Sequence, residues 1–123
     1  METSVKKAVY TILASALSPI IVHNGAKLDT ALPYIDIDDF SETDWGTKDF
    51  TGSLSELRIH IWHNDRKACA TAMQAIRTAL DRVELTLVGE NFVDCQFRSG
   101  RSFTDADGTT RHGVVDFEVI SHN

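Results

Sequence analysis

The chain has 123 residues and carries 12 lysines and arginines against 18 aspartates and glutamates, a formal charge of −6. That balance opposes tight capture of a nucleic-acid backbone, which needs clustered cations; the nearest such group, Arg98, Arg101 and Arg111, has Asp105 and Asp107 lying among it. The length suits a single domain over residues 1–123, and no stretch is both apolar and long enough to span a bilayer.

Lys6 and Lys7 precede an apolar run over residues 8–17, which superficially suits a secretory signal. Tyr10, Thr11 and Ser15 interrupt that run, and Val5, Ala8, Val9, Ile12, Leu13, Ala16 and Leu17 recur at three- and four-residue spacing. This predicts an amphipathic helix of the mature protein over residues 3–16. Thr3 or Ser4 is positioned to cap its start, and Pro19 to end it. A short apolar piece over 20–22 and a turn at His23-Asn24-Gly25 follow. Tyr34, Asp36 and Asp38 alternate with Ile35 and Ile37, predicting a strand with one wet face over 34–38.

Residues 39–53 read as an irregular loop, polar but holding Phe40, Trp45 and Phe50. A loop this long is usually functional or disordered, and its aromatics either fold back on the domain or dock on a neighbour. Leu57, Ile59 and Ile61 alternate with Glu56, Arg58, His60 and Trp62, predicting a strand over 55–63. Asn64-Asp65 caps a helix over 66–83, with Cys69, Ala72, Met73, Ile76, Ala79, Leu80 and Val83 on its apolar face. A short strand is expected over 85–88, then longer strands over 92–104 and 111–121, with Asp107-Gly108 turning between them. This order predicts an α+β fold: a mixed, largely antiparallel sheet with two helices packed on one face.

Candidate chemistry reduces to surface and core. His60 and His63 stand three apart on a strand, so they point to opposite faces and do not share an ion readily. Asp36, Asp38 and Asp39 are close acids, Asp36 and Asp38 on one face, yet no His or Glu accompanies them; a solvated strand face accounts for them. In Asp105-Ala106-Asp107-Gly108 the glycine comes too early for a calcium loop, and a turn is the simpler reading. Cys69 and Cys95 read as small buried hydrophobes of a reducing compartment. There is no Gly-x-Ser-x-Gly elbow, phosphate-binding glycine loop or Cys-x-x-Cys pair. No metal, cofactor or catalytic set is expected. Trp45 in a polar loop, with Lys48 near it, and Trp62 on a polar strand face are the candidate interface residues.

The segments Pro33-Tyr34-Ile35, Glu42-Thr43-Asp44-Trp45-Gly46-Thr47-Lys48, Leu57-Arg58-Ile59-His60-Ile61-Trp62 and Ala75-Ile76-Arg77-Thr78-Ala79-Leu80 occur in order along the chain. Leu85-Thr86-Leu87-Val88-Gly89 and Asp107-Gly108-Thr109-Thr110-Arg111-His112-Gly113-Val114-Val115-Asp116-Phe117 follow them. Together they resemble the tail terminator, or tail completion, family of siphophages, prophages and gene transfer agents. The resemblance implies a non-enzymatic structural protein. It implies a homo-oligomer, a hexameric ring that caps the tail tube, ends tail polymerisation and joins the tail to a head-side connector or stopper protein. DNA would pass the lumen without specific binding, as an acidic subunit suits. Assembly would occur in the cytoplasm of the producing bacterium, without a membrane step, before the protein enters the tail and neck of the particle. The alternatives are another head–tail neck or connector subunit and a small metal-dependent enzyme using the Asp36–Asp38 face or the histidines.

Overall fold

The computed structural model describes residues 2–26, 30–49 and 51–122, with side chains from Ser4 onward. The elements run α1 (Glu2–Ala16), β1 (Ile21–His23), β2 (Tyr34–Asp44), β3 (Gly52–His63), α2 (Arg66–Leu80), β4 (Asn91–Thr104) and β5 (Arg111–His122). The five strands form one sheet in the order β1-β2-β3-β5-β4. β1 runs parallel to β2; every other pairing is antiparallel. Both helices pack on one face, which is the α+β architecture that the sequence predicts.

Alternation along the strands decides which side chains meet the helices. In β3, Leu57, Ile59 and Ile61 are buried; in β5, Val115, Phe117 and Val119 are. Against them α1 sets Val5, Val9 and Leu13, and α2 sets Cys69, Ala72, Ile76 and Leu80. Ile76 and Leu80 are fully buried, each stabilising by about 1.5–3 kcal/mol relative to exposure. The small residue Gly113 lets α2 approach closely. A Cβ built there would stand 2.8 Å from Met73 Sδ and 3.1 Å from Cys69 Sγ.

Several sequence expectations are corrected. Helix α1 begins at Glu2, so Thr3 and Ser4 lie inside it rather than capping it. The Ser4 hydroxyl instead donates to the Glu90 carboxylate. Asp65 does cap α2, its carboxylate accepting from the Ala68 amide at 3.2 Å. That helix stops at Leu80, not Val83, because Asp81 accepts from the Phe97 amide of β4 at 3.0 Å and Arg82 takes a left-handed φ of 59°. Residues 85–88 form no strand. Leu85 is buried and Leu87 packs against the core, so their alternation reflects burial without a hydrogen-bonded ladder.

The largest correction concerns residues 39–53. Residues 39–44 and 52–53 are strand, β2 continuing to Asp44 and pairing with β3 from Asp39↔Arg58 to Asp44↔Ser53, and the irregular part narrows to residues 45–49 and 51. The Trp45 amide then donates to the Gly52 carbonyl at 3.0 Å, closing a long hairpin. Phe50 lies outside the described residues. A register shift between Asp36 and Asp39 divides the strand, and past it Phe40 faces the helix side, where the Lys6 ammonium lies 5.7 Å from its ring centroid.

Candidate assembly surfaces

The sheet face opposite the helices carries three rows of side chains fixed by strand register. Tyr34, Trp62, His112 and Phe103 stand opposite one another across β2, β3, β5 and β4. Their rings form a continuous contact: Tyr34–Trp62 stack at 4.9 Å, Trp62–His112 at 4.5 Å, and Phe103 meets His112 at 4.8 Å. His23 of β1 touches Tyr34 edge-on at 5.8 Å. Each such pair adds about 0.5–1.5 kcal/mol beyond its buried area.

The next row holds Asp36, His60, Val114 and Arg101. His60 Nδ1 lies 2.8 Å from His112 Nε2, and His60 Nε2 lies 3.0 Å from Asp39 Oδ2. Burial holds His112 below the ordinary histidine value, helped by His60 and Arg101 and opposed by Asp105. The third row pairs Arg58 with Asp116 at 2.9 Å, and Asp116 also accepts from Ser99 at 2.8 Å. Arg98 lies 3.2 Å from Glu118. Burial works to raise the Asp116 carboxyl, but its Arg58 and Ser99 hydrogen bonds bring it below the usual range. These ion pairs are partly exposed and each contributes about 0–1 kcal/mol. They orient a mixed-charge groove of about 340 Å³ between Asp39 and Glu118.

Trp62 is therefore a half-buried member of an aromatic row rather than a lone ring on a wet face. Trp45 and Lys48 sit at the other end of β3, at the hairpin tip, where Trp45 is 39% exposed and Lys48 is exposed. Gly52, which holds the tip, is ten residues from Trp62, about 33 Å along the strand. The three interface candidates thus form two separate patches. The His60–His112–Asp39 chain is the grouping that sequence reasoning misses. Its signal, His60, Trp62 and His112 all at even-numbered positions of two strands, becomes visible only with the register.

The remaining candidates resolve into structure. His63 lies on the helix side, accepting from the Asp65 amide at 3.1 Å, so it and His60 do point apart. Asp36 and Asp38 do not share one face. Asp36 accepts from the amides of Gly25, Ala26 and Asp38 at 3.0, 2.9 and 3.0 Å. Burial would raise its carboxyl, but these amides and His60 hold it below the usual value. Asp38 instead pairs with Lys6 at 2.9 Å, an ammonium whose side chain is 8% exposed.

Asp107 accepts from Thr110 Oγ1 at 2.5 Å and from the amides of Thr110 and Thr109 at 2.8 and 2.9 Å. These bonds lower it to about 2, and with Gly108 at φ 76° they build a hairpin turn. Burial, with Asp94 and Asp81, pushes the Cys95 thiol up to about 12, and burial raises Cys69; both cysteines are free and buried. Thiols so raised are poor nucleophiles at neutral pH. Among the described residues, no three His, Cys, Asp or Glu side chains are grouped to hold a metal.

The geometry is a paired sheet face, a long hairpin and charged rows in fixed register. The class is phage tail structural protein. The model of the family described as tail completion protein gp17 matches residues 6–122, and the chain belongs to that family. Tail completion protein gp17 of Bacillus phage SPP1 is 29% identical over 96 residues, covering 77% of this chain and 72% of that protein. A chain from the virion of a native gene transfer agent particle superposes with a TM-score of 0.87 over 99% of this chain and 97% of that chain. Its identity is 16%, so the likeness is one of fold.

Proposed function

We propose that residues 1–123 act as one tail-terminator domain, assembling into a hexameric ring on the end of a finished tail tube. The ring blocks further addition of tube subunits and offers its other side to a head-side connector or stopper protein. DNA passes through the lumen, where an acidic subunit discourages binding. The work needs matched surfaces and no catalytic step, cofactor or metal. It takes place in the cytoplasm of the producing bacterium, after which the protein stays in the tail and neck of the particle.

The observation that carries this reading is the family match over residues 6–122. The exposed Trp45 and Lys48 on a hairpin beyond the core support a contact there, and the aromatic row through Trp62 supports a second. Particles assembled without this protein test the reading against that of a neck subunit. Tails that overrun their normal length are expected. Free tails of normal length would overturn termination.

A further inference from the structure

The sheet has two edges, and each is closed over part of its length. On β4 the Arg82 amide donates to the Cys95 carbonyl at 2.7 Å, and the Phe97 amide donates to the Asp81 carboxylate at 3.0 Å, so the residues that end α2 cover that stretch. On β2 the short strand β1 pairs with residues 34–36. Beyond these stretches, residues 98–104 of β4 and 40–44 of β2 have no strand on their outer side among the described residues. Residues 98–104 and 41–44 are exposed, and neither segment contains proline, which would withhold an amide.

Register shows which backbone groups face outward. The Trp45 amide donates to the Gly52 carbonyl, so these two form a hydrogen-bonded pair, and by alternation Phe40, Glu42 and Asp44 turn their amides and carbonyls away from β3. The Asp105 amide donates to the Thr110 carbonyl, and in the same way Gly100, Ser102 and Thr104 turn theirs away from β5. β2 and β4 run in opposite directions, so two copies in one orientation match these edges as an antiparallel ladder: Phe40 opposite Thr104, Glu42 opposite Ser102 and Asp44 opposite Gly100.

Two observations favour a second copy of this chain as the occupant of each edge. Glu42 lies level with Ser55 and Val119, whereas Ser102 lies level with Gly113, six residues lower on β5. Joining the edges shifts each copy along the strands by about 20 Å for every four strands, or about 19 Å of sheet width. The resulting strand tilt of about 45° is at the upper end of the range typical of closed barrels. The second observation is charge. The Arg111 guanidinium donates to Ser102 Oγ at 2.9 Å and Thr104 Oγ1 at 3.4 Å, pairs with no carboxylate among the described residues, and keeps a buried Nε without a partner. Glu42 accepts from Ser53 and pairs with no cation among the described residues. The ladder sets Glu42 of one copy opposite Ser102 of the next, the residue that Arg111 already touches. We propose that the 40–44 edge of one copy pairs with the 98–104 edge of the next, so that one continuous sheet runs around the ring. Two different patches of one chain then meet head to tail, the interface type that closes into a ring when the rotation permits. The inference rests on the ring reading and names the surfaces that close the ring.

Disulfide trapping tests it. Opposite residues of a hydrogen-bonded antiparallel pair stand about 5.5 Å apart at Cα, a separation that a disulfide spans. Within one chain β3 and β5 separate Glu42 from Ser102, so Glu42→Cys/Ser102→Cys bridges only between copies. Cys69 and Cys95 are buried and do not compete. Wild type and variants, with melting temperatures checked against each other, are oxidised alone and with tail tube protein, then read on non-reducing gels and by electron microscopy. The double variant is expected to give a ladder of linked subunits that ends at the ring size, and an equimolar mixture of Glu42→Cys and Ser102→Cys to give linked dimers. Ser41→Cys/Ser102→Cys, whose cysteines lie on opposite faces of the sheet, is expected to link at least tenfold less. Rings that form without linkage in the double variant would overturn the inference while leaving the ring reading intact. Linked dimers from Ser102→Cys alone would also overturn it, because they set β4 against β4. Wild-type protein that forms no ring, alone or on tubes, would instead remove the ring reading itself.

Discussion

Gly113→Ala probes how closely α2 sits on the sheet. Gly113 lies on β5 opposite Ile61, beneath α2, and its backbone is outside the left-handed region, so alanine incurs no conformational strain there. The added methyl would stand 2.8 Å from Met73 Sδ and 3.1 Å from both Met73 Cγ and Cys69 Sγ. Overpacking of this kind costs about 1–3 kcal/mol. Loss of glycine's freedom in the unfolded chain returns about 0.4–1 kcal/mol, leaving a net loss of about 0.5–2 kcal/mol. An unfolding entropy of about 2.1 cal/mol/K per residue turns this into a drop in Tm of about 2–8 °C for this chain.

Thermal and urea denaturation of four proteins separate the causes: wild type, Gly113→Ala, Met73→Ala and the double variant. Met73 supplies two of the three close contacts, so the cost of Gly113→Ala should fall by at least half in the Met73→Ala background. Gly100→Ala is the control, its nearest contacts being ordinary at 3.5–3.7 Å; it should be neutral or slightly stabilising. An unchanged Tm for Gly113→Ala, or an equal cost in both backgrounds, would refute the packing argument.

Trp45→Ala should weaken assembly with tube protein, or with itself, while moving the monomer Tm by no more than about 1–2 °C, since the indole is 39% exposed and is not among the side chains of the core cluster. A large loss of monomer stability would show that the indole belongs to the core. For His112, burial, His60 and Arg101 lower the folded value below 6.5, so the unfolded chain takes up that proton at higher pH than the folded one. Stability from this group is therefore full above about pH 7 and falls as the pH drops through 6.5 toward the folded value. Melting curves at several pH values should show a shallower dependence in His112→Gln; identical slopes would contradict the assignment.

The α2 stripe and the alternation of β3 and β5 are legible in the sequence because each buries one face against the core, and burial imposes a period. Residues 41–44 are not legible as strand because, past Phe40, that part of β2 has no buried face. With Ser41, Glu42, Thr43 and Asp44 all exposed, the alternation that marks a half-buried strand disappears. Residues 85–88 mislead in the opposite way, alternating in burial without a partner strand. The aromatic row and the His60–His112 contact depend on register among distant segments, which local patterns do not encode. Asp36 and Asp38 part company because of the register shift between Asp36 and Asp39, and nothing in their spacing signals it. Membership of the tail completion family is legible because short segments recur in order over most of the chain.

Electron microscopy of the purified protein, alone and mixed with tail tube protein, tests the central claim most directly. The account predicts rings of six subunits, either free or formed on tube ends, and tubes that stop elongating once capped. Monomers that never associate with each other or with the tube, while tubes continue to grow, would contradict it.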